Sequence, residues 1–101
     1  MRQALVKVHN QEAGILTETA DRRYRFDYHN GYTGAPVSLT MPIRKEGYVY
    51  SHFPPFFDGV LPEGGQLEGL LQLRKIDRYD YFTQLLVVGQ DLVGAVTVFK
   101  K

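Results

Sequence analysis

The first half of the chain alternates apolar and polar residues with the two-residue period of β-strands. One such run covers residues 4–8, with Val6 and Val8 on the same side. A second run begins at Gly14 (GILTET), and a third covers residues 24–28 (YRFDY), whose three aromatic side chains share a face. Because only short links join these runs, we expect a small antiparallel meander.

Turn-forming residues follow the third run. Residues 29–36 (HNGYTGAP) combine asparagine, glycine and proline, which favour tight bends. Residues 37–43 (VSLTMPI) alternate again, and we expect a strand that ends at Pro42, because proline cannot donate a ladder hydrogen bond. Residues 47–51 (GYVYS) predict one more short extended segment.

The second half of the chain shows the longer period of helices. Leucines between positions 67 and 71 form a stripe that predicts one helix, and the apolar residues of 82–86 predict a second. Asp77 or Asp80 can cap the second helix. Gly89 is suited to end it.

The last segment predicts a return to the sheet. Residues 92–99 (LVGAVTVF) are rich in β-branched side chains, which favour strands. The order of elements indicates an α+β fold, a small and mainly antiparallel sheet with two helices packed on it. A length of 101 residues suits a single domain over residues 1–101.

Composition narrows the possible functions. Twelve basic and eleven acidic residues give a formal net charge of +1, without the concentrated positive face that nucleic-acid binding requires. The N-terminus lacks the apolar run of a signal peptide, and no stretch approaches the roughly 18 apolar residues of a membrane span. We therefore expect a cytoplasmic protein that has no membrane contact and does not bind DNA directly.

Residue groups that carry catalysis are not apparent. There is no cysteine, and His9, His29 and His52 are too far apart in sequence for the helical pair of a zinc site. Asp58 and Glu63 could form a carboxylate pair, but we prefer capping roles for them, with Asp58 holding loop amides and Glu63 near a helix N-terminus. We expect no enzyme activity, no cofactor and no metal.

One stretch stands out by its aromatic content. Residues 53–65 (FPPFFDGVLPEGG) hold three phenylalanines and three prolines. The simplest interpretation places Phe57, Val60 and Leu61 in the core between sheet and helices. A core this small cannot also hold all of residues 53–56, so we expect an exposed aromatic and proline patch that binds a partner.

Three segments together resemble the N-terminal subdomain of HipA-type toxin kinases. In that family a strand reading S-L-x-x-P precedes F-F-D-x-L-L-P-E-G, and a G-x-D-x-x-G-A motif leads into a strand. The matching residues here are Ser38, Leu39, Pro42, Phe56, Phe57, Asp58, Leu61, Pro62, Glu63, Gly64, Gly89, Asp91, Gly94 and Ala95. The resemblance covers nearly the whole chain.

The resemblance also implies a function. HipA-type kinases continue into ATP-binding and catalytic motifs, whereas this sequence ends at Lys101. It therefore looks like the free-standing HipS-type protein of a split system, in which the kinase HipT lacks this subdomain and a helix-turn-helix protein, HipB, is the third member. This implies an antitoxin that binds and restrains a HipT-like serine/threonine kinase, in a ternary complex that reaches DNA only through the HipB-like protein. The alternative is a detached structural subdomain of a HipA-type kinase with no independent inhibitory role.

The expected partner contact lies on residues 53–66. The residues expected to bind the kinase are Phe53, Pro55, Phe56, Asp58, Pro62, Glu63, Gly64, Gly65 and Gln66. Relatives of this type often carry a bulky aromatic residue directly after P-E-G, where this chain has Gly65. If that side chain presses on the kinase, restraint by this chain is weaker or altered.

Overall fold

The computed structural model describes residues 1–92 and 94–101. Its strands and helices are β1 (Arg2–Val8), β2 (Gln11–Glu18), β3 (Tyr24–Tyr28), β4 (Tyr48–Tyr50), α1 (Pro55–Gly59), α2 (Gly64–Arg74), α3 (Tyr81–Val88) and β5 (Val96–Lys100). The strands form one sheet in the order β4-β3-β2-β1-β5, and each neighbouring pair is antiparallel. The predicted α+β fold with an antiparallel sheet is confirmed.

Short turns connect the first three strands. His9 and Asn10 form the two-residue loop between β1 and β2, with φ values of 50° and 64°. Positive φ at both positions matches the twist of a tight hairpin. Between β2 and β3, the Arg22 N–H donates to the Thr19 carbonyl at 3.1 Å, which closes a turn in the short link between these strands.

The core lies between one face of the sheet and helices α1 and α3. Side chains from β1, β2 and β3 enter it alternately, as the two-residue period predicts. Phe26 on β3 and Phe57 on α1 meet with their ring centroids 6.2 Å apart. The apolar residues with no exposed area are Ala4, Val6, Ala13, Leu16, Phe26, Phe57, Phe82, Leu85 and Val98.

The strand predicted over residues 37–43 is wrong. The Met41 N–H donates to the Ser38 carbonyl at 3.0 Å, which closes a turn, and the Ser38 hydroxyl accepts a backbone N–H two residues further on at 3.2 Å. Such local bonds compete with a strand ladder. Val37 and Met41 reach the core from the two sides of the turn, whereas Leu39 at its tip is 96% exposed, so the alternation of burial arises without a strand.

Residues 1–92 and 94–101 contain three helices, one more than the sequence predicted. The additional helix, α1, begins after Pro54 with a second proline in its first turn and buries Phe57. Proline suits that position because its φ is already helical, but five residues are too few to show a helical stripe. At α3, the Asp80 side chain accepts from the Thr83 N–H at 3.2 Å, which confirms Asp80 as the cap.

The final strand returns to the sheet beside β1 but begins later than predicted. It starts at Val96, and Val93, which the prediction over residues 92–99 included, lies outside the described residues. The Val98 N–H donates to the Gly89 carbonyl at 2.8 Å, so the end of α3 covers the outer edge of β5. A Cβ on Gly89 would collide with the Val98 carbonyl oxygen, which explains the glycine at this position.

Candidate partner-binding surface

The predicted contact segment, residues 53–66, runs through α1, a short loop and the first turn of α2. Its nine candidate residues differ in exposure. Phe53 is buried and Phe56 and Pro62 are half-buried. The exposed candidates are Pro55, Asp58, Glu63, Gly64, Gly65 and Gln66. The structure therefore brings eight of the nine residues at least partly to the surface.

Phe53 packs in the core. Its ring lies edge-on to Tyr24 of β3 at a centroid distance of 5.2 Å and against Tyr81 of α3 at 5.7 Å. The expectation that this ring remains exposed is wrong, because the core extends into the gap between β3 and the start of α3. A role for Phe53 in partner binding stays a prediction, but its ring is not available for extensive direct contact.

Phe56 lines an apolar depression of about 260 Å³, named here the Phe56 hollow. The Phe56 ring packs edge-on against Phe57 with the centroids 5.2 Å apart, so its position is fixed by the core. The apolar lining of the hollow includes Val8, Pro36, Val37, Phe56, Val60 and Leu92. These residues come from four parts of the chain, and no local sequence pattern could have shown that they meet.

A second depression, of about 540 Å³, adjoins the Phe56 hollow. Val60 and Leu92 line both depressions, so the two share a wall. Polar side chains of the second depression include Glu63 and Asp91, and we name it the Glu63–Asp91 groove. Among the described residues, neither depression is lined by a lysine or an arginine.

The capping roles expected for Asp58 and Glu63 are met only in part. Glu63 is the residue preceding α2, and its carbonyl accepts from the Leu67 N–H at 3.4 Å, but its carboxylate forms no capping hydrogen bond. Asp58 lies in the first turn of α1, where a negative charge suits the helix dipole. Its carboxylate does not hold loop amides within the described part of the chain. Both carboxylates therefore face solvent.

The first turn of α2 is sterically open. Gly64 has φ +57°, a conformation that disfavours other residues, and no atom lies within 4 Å of a Cβ built on it or on Gly65. The Cβ of a side chain at Gly65 would therefore meet no neighbouring atom among the described residues. The position after P-E-G thus has open space where the aromatic residue that the family resemblance associates with it would begin.

Charge is distributed unevenly around the molecule. No lysine or arginine occurs in residues 46–73 or 79–99. These two ranges include all of α1 and α3 and nearly all of α2. On this side the Glu68 carboxylate forms a salt bridge with the Arg78 guanidinium, with 2.6 Å between the oxygen and the nitrogen. The exposed acidic residues near the two depressions are Asp58, Glu63 and Asp91. This surface is acidic although the whole chain has a net charge of +1.

A charged cluster at the opposite end of β1 and β5 has a structural role. Arg2 donates to Glu18 and to Asp80, each at 2.8 Å, and to the Thr83 hydroxyl at 2.8 Å. The hydrogen bonds to Glu18 and Asp80 raise the pKa of Arg2. Burial raises the pKa of Asp80, but the hydrogen bonds from Arg2 and Thr83 lower it by more, so the net pKa is below its usual value. The cluster ties the sheet to the start of α3.

The histidines do not assemble a metal site in the described part of the chain. His29 Nε2 lies 3.9 Å from a Glu12 carboxylate oxygen, and His9 forms part of the hairpin loop. Within residues 1–92 and 94–101, no three histidine, aspartate or glutamate side chains lie together as metal ligands would. In the same residues, no helix has both the length and the hydropathy to cross a bilayer.

The architecture matches a known domain. A family profile described as the HipA N-terminal domain matches residues 4–99. A solved structure titled N-terminal domain of HipA toxin aligns with a TM-score of 0.80 at 28% sequence identity, covering 100% of this chain and 93% of that one. The agreement thus extends over the full length of this chain.

Two curated relatives carry the domain in different lengths of chain. An uncharacterized protein of Haemophilus influenzae is 31% identical over 98 residues, which cover 97% of this chain and 92% of that protein. A putative kinase of Sinorhizobium fredii, Y4dM, is 28% identical over 103 aligned positions, which cover 92% of this chain but only 25% of the kinase. Because the profile, the fold and these relatives agree over nearly every residue, the chain belongs to the HipA N-terminal domain family.

Proposed function

We propose that this domain is a HipS-like antitoxin that binds a HipT-like serine/threonine kinase and restrains its activity. The observation that carries the proposal is the pair of adjoining depressions, the Phe56 hollow and the Glu63–Asp91 groove, on the segment that bears the family's FFDGVLPEG motif. Exposed or half-buried apolar surface of this kind is characteristic of protein-binding sites. The Haemophilus relative, matched over 92% of its length, supports an arrangement in which the domain is separate from a kinase.

The physical basis is the reuse of an internal docking face. The putative kinase Y4dM carries a related domain within one longer polypeptide. A domain that packs on a kinase body in one chain keeps an apolar docking face, which a separate chain can satisfy only by binding in trans. Pro54, Pro55 and Pro62 fix the backbone next to this face, which lowers the entropy lost on binding.

The proposal includes the other members of the complex. A HipB-like helix-turn-helix protein would join the domain and the kinase in a ternary complex, and DNA contact would occur only through that protein. The net charge of +1 supports this division of roles, because direct DNA binding needs a basic surface. We further propose that the chain acts in the cytoplasm as one domain over residues 1–101, without catalytic activity of its own.

A second function has its own support. The match covers only 25% of the putative kinase, as expected if the domain is a structural subdomain of a longer kinase. In that case the domain would complete the kinase fold and would not inhibit it. The two functions predict different effects on kinase activity, and this difference allows a direct test.

The experiment uses a HipA-type kinase that lacks this subdomain and is taken from the same genome. An antitoxin co-purifies with the kinase, and adding the purified domain lowers kinase autophosphorylation. A structural subdomain leaves autophosphorylation unchanged or raises it, together with the kinase melting temperature. Failure to form a complex at micromolar concentrations contradicts both functions, and ATP turnover by the domain alone above a denatured control contradicts its non-catalytic role.

A further inference from the structure

The Phe56 hollow has the size and lining of a site for a side chain. Its volume of about 260 Å³ lies below the roughly 300–1,000 Å³ of small-molecule pockets. Pro36, Val37, Val60 and Leu92 give it apolar walls. His9 is a polar member of the lining. An aliphatic or aromatic side chain placed there would bury apolar area against the other walls, and each Å² removed from water contributes about 25 cal/mol.

The Glu63–Asp91 groove has the opposite character. Glu63 and Asp91 are exposed and line the same depression, with Gln66 as a further polar neighbour. Neither carboxylate forms a salt bridge with a described lysine, arginine or histidine. Two negative charges on one groove give it a negative potential that attracts a cation.

The two depressions adjoin each other. Val60 and Leu92 form a wall common to both, so one short segment of a partner can enter them together. The charge of the surface selects among partners. Nucleic acids and anionic membranes carry phosphates that an acidic surface repels, whereas a protein segment with lysine or arginine is attracted.

We infer that the occupant is a kinase segment with an apolar side chain that fills the Phe56 hollow and an adjacent lysine or arginine that enters the Glu63–Asp91 groove. This inference rests on the proposed function and defines the chemistry of the kinase surface that the domain binds. The apolar side chain provides the anchor, while the basic one sets the position of the segment and steers association.

Charge reversal provides the test. The variant E63K/D91K is compared with the control D21K/E46K, which makes the same change in net charge at exposed residues that line neither depression. Kinase affinity is measured at low and high salt. We expect E63K/D91K to lose at least about tenfold in affinity and most of its salt dependence, and the control to stay within about threefold of the parent.

The hollow is tested separately by Phe56→Ala, which removes part of its wall. We expect a loss of affinity on the order of thirtyfold, as for an aromatic hot spot, in a variant whose melting curve shows that it is folded. If the parent binds the kinase and E63K/D91K binds equally well with the same salt dependence, the inference is wrong but the proposed function stands. A parent that does not bind the kinase overturns the proposed function, and the inference falls with it.

Discussion

Replacing Phe53 by alanine should destabilise the domain instead of removing a partner contact. The side chain is only 8% exposed and lies between Tyr24 of β3 and Tyr81 of α3, with ring centroids 5.2 and 5.7 Å away. Truncation would leave a cavity where the sheet meets the helical layer. Phenylalanine-to-alanine changes in protein cores cost about 3–5 kcal/mol.

The cost should lie near the lower end of this range, because the two tyrosines lie at the margin of the core and can partly close the cavity. A loss of about 3 kcal/mol is a large share of the roughly 5–15 kcal/mol that stabilises a domain of this length. At about 4–8 °C per kcal/mol, the melting temperature should fall by about 12–24 °C. Circular dichroism is the suitable assay, supported by tyrosine fluorescence because the chain has no tryptophan.

Leu39→Ala is the matched control for this prediction. Leu39 is 96% exposed, so its truncation should change the free energy of unfolding by no more than about 0.5 kcal/mol. The reasoning fails if Phe53→Ala melts within about 4 °C of the parent. It would fail most clearly if such a folded variant lost kinase binding, since Phe53 would then be a surface anchor.

Three further predictions concern other parts of the molecule. Arg2→Met should lower the free energy of unfolding by about 1–2 kcal/mol at neutral pH. Because the pKa of Asp80 is lowered in the folded state, the stability that the Asp80 carboxylate contributes is present above about pH 4 and is lost as the pH falls further. Urea unfolding at a series of acid pH values should therefore show a smaller loss of stability in the variant than in the parent. Gly89→Ala should destabilise the domain by about 1–3 kcal/mol, because the added Cβ would collide with a carbonyl of β5. Gly69→Ala inside α2 places its Cβ near no neighbouring atom and should stabilise the domain by about 0.5–1 kcal/mol. Thermal melting measures both changes. Gly65→Trp should leave the melting temperature unchanged and strengthen inhibition in the autophosphorylation assay; an unchanged inhibition constant would show that this position does not face the kinase.

Much of the sheet could be predicted because its strands follow one simple pattern. In β1, β2 and β3 one face is buried and the other is not, so burial repeats with the two-residue period of the backbone. Asp80 could be predicted as a cap because its role depends only on the next three residues. These elements have local causes, and a local pattern in the sequence is sufficient to identify them.

Other features depend on contacts between distant parts of the chain. Residues 37–43 alternate like a strand, but among the described residues they pair with none of the strands, and the Ser38 hydroxyl stabilises a turn instead. The Phe56 hollow joins Val8, Pro36 and Leu92, which are separated by tens of positions in the sequence. The candidate segment could therefore be identified from its composition, but not the shape of the surface to which it contributes.

The two adjacent phenylalanines of α1 link folding to binding. Successive residues in a helix point about 100° apart, so Phe57 enters the core with no exposed area while Phe56 remains half-buried at the hollow. A helix of five residues cannot stay ordered by itself, and its position depends on the Phe57 anchor. Weakening that anchor would therefore disorder the wall of the hollow before any contact with a partner changed. The kinase affinity of a core variant must therefore be corrected for the fraction of the variant that is folded. Only a loss of affinity that remains after this correction identifies a residue that touches the kinase.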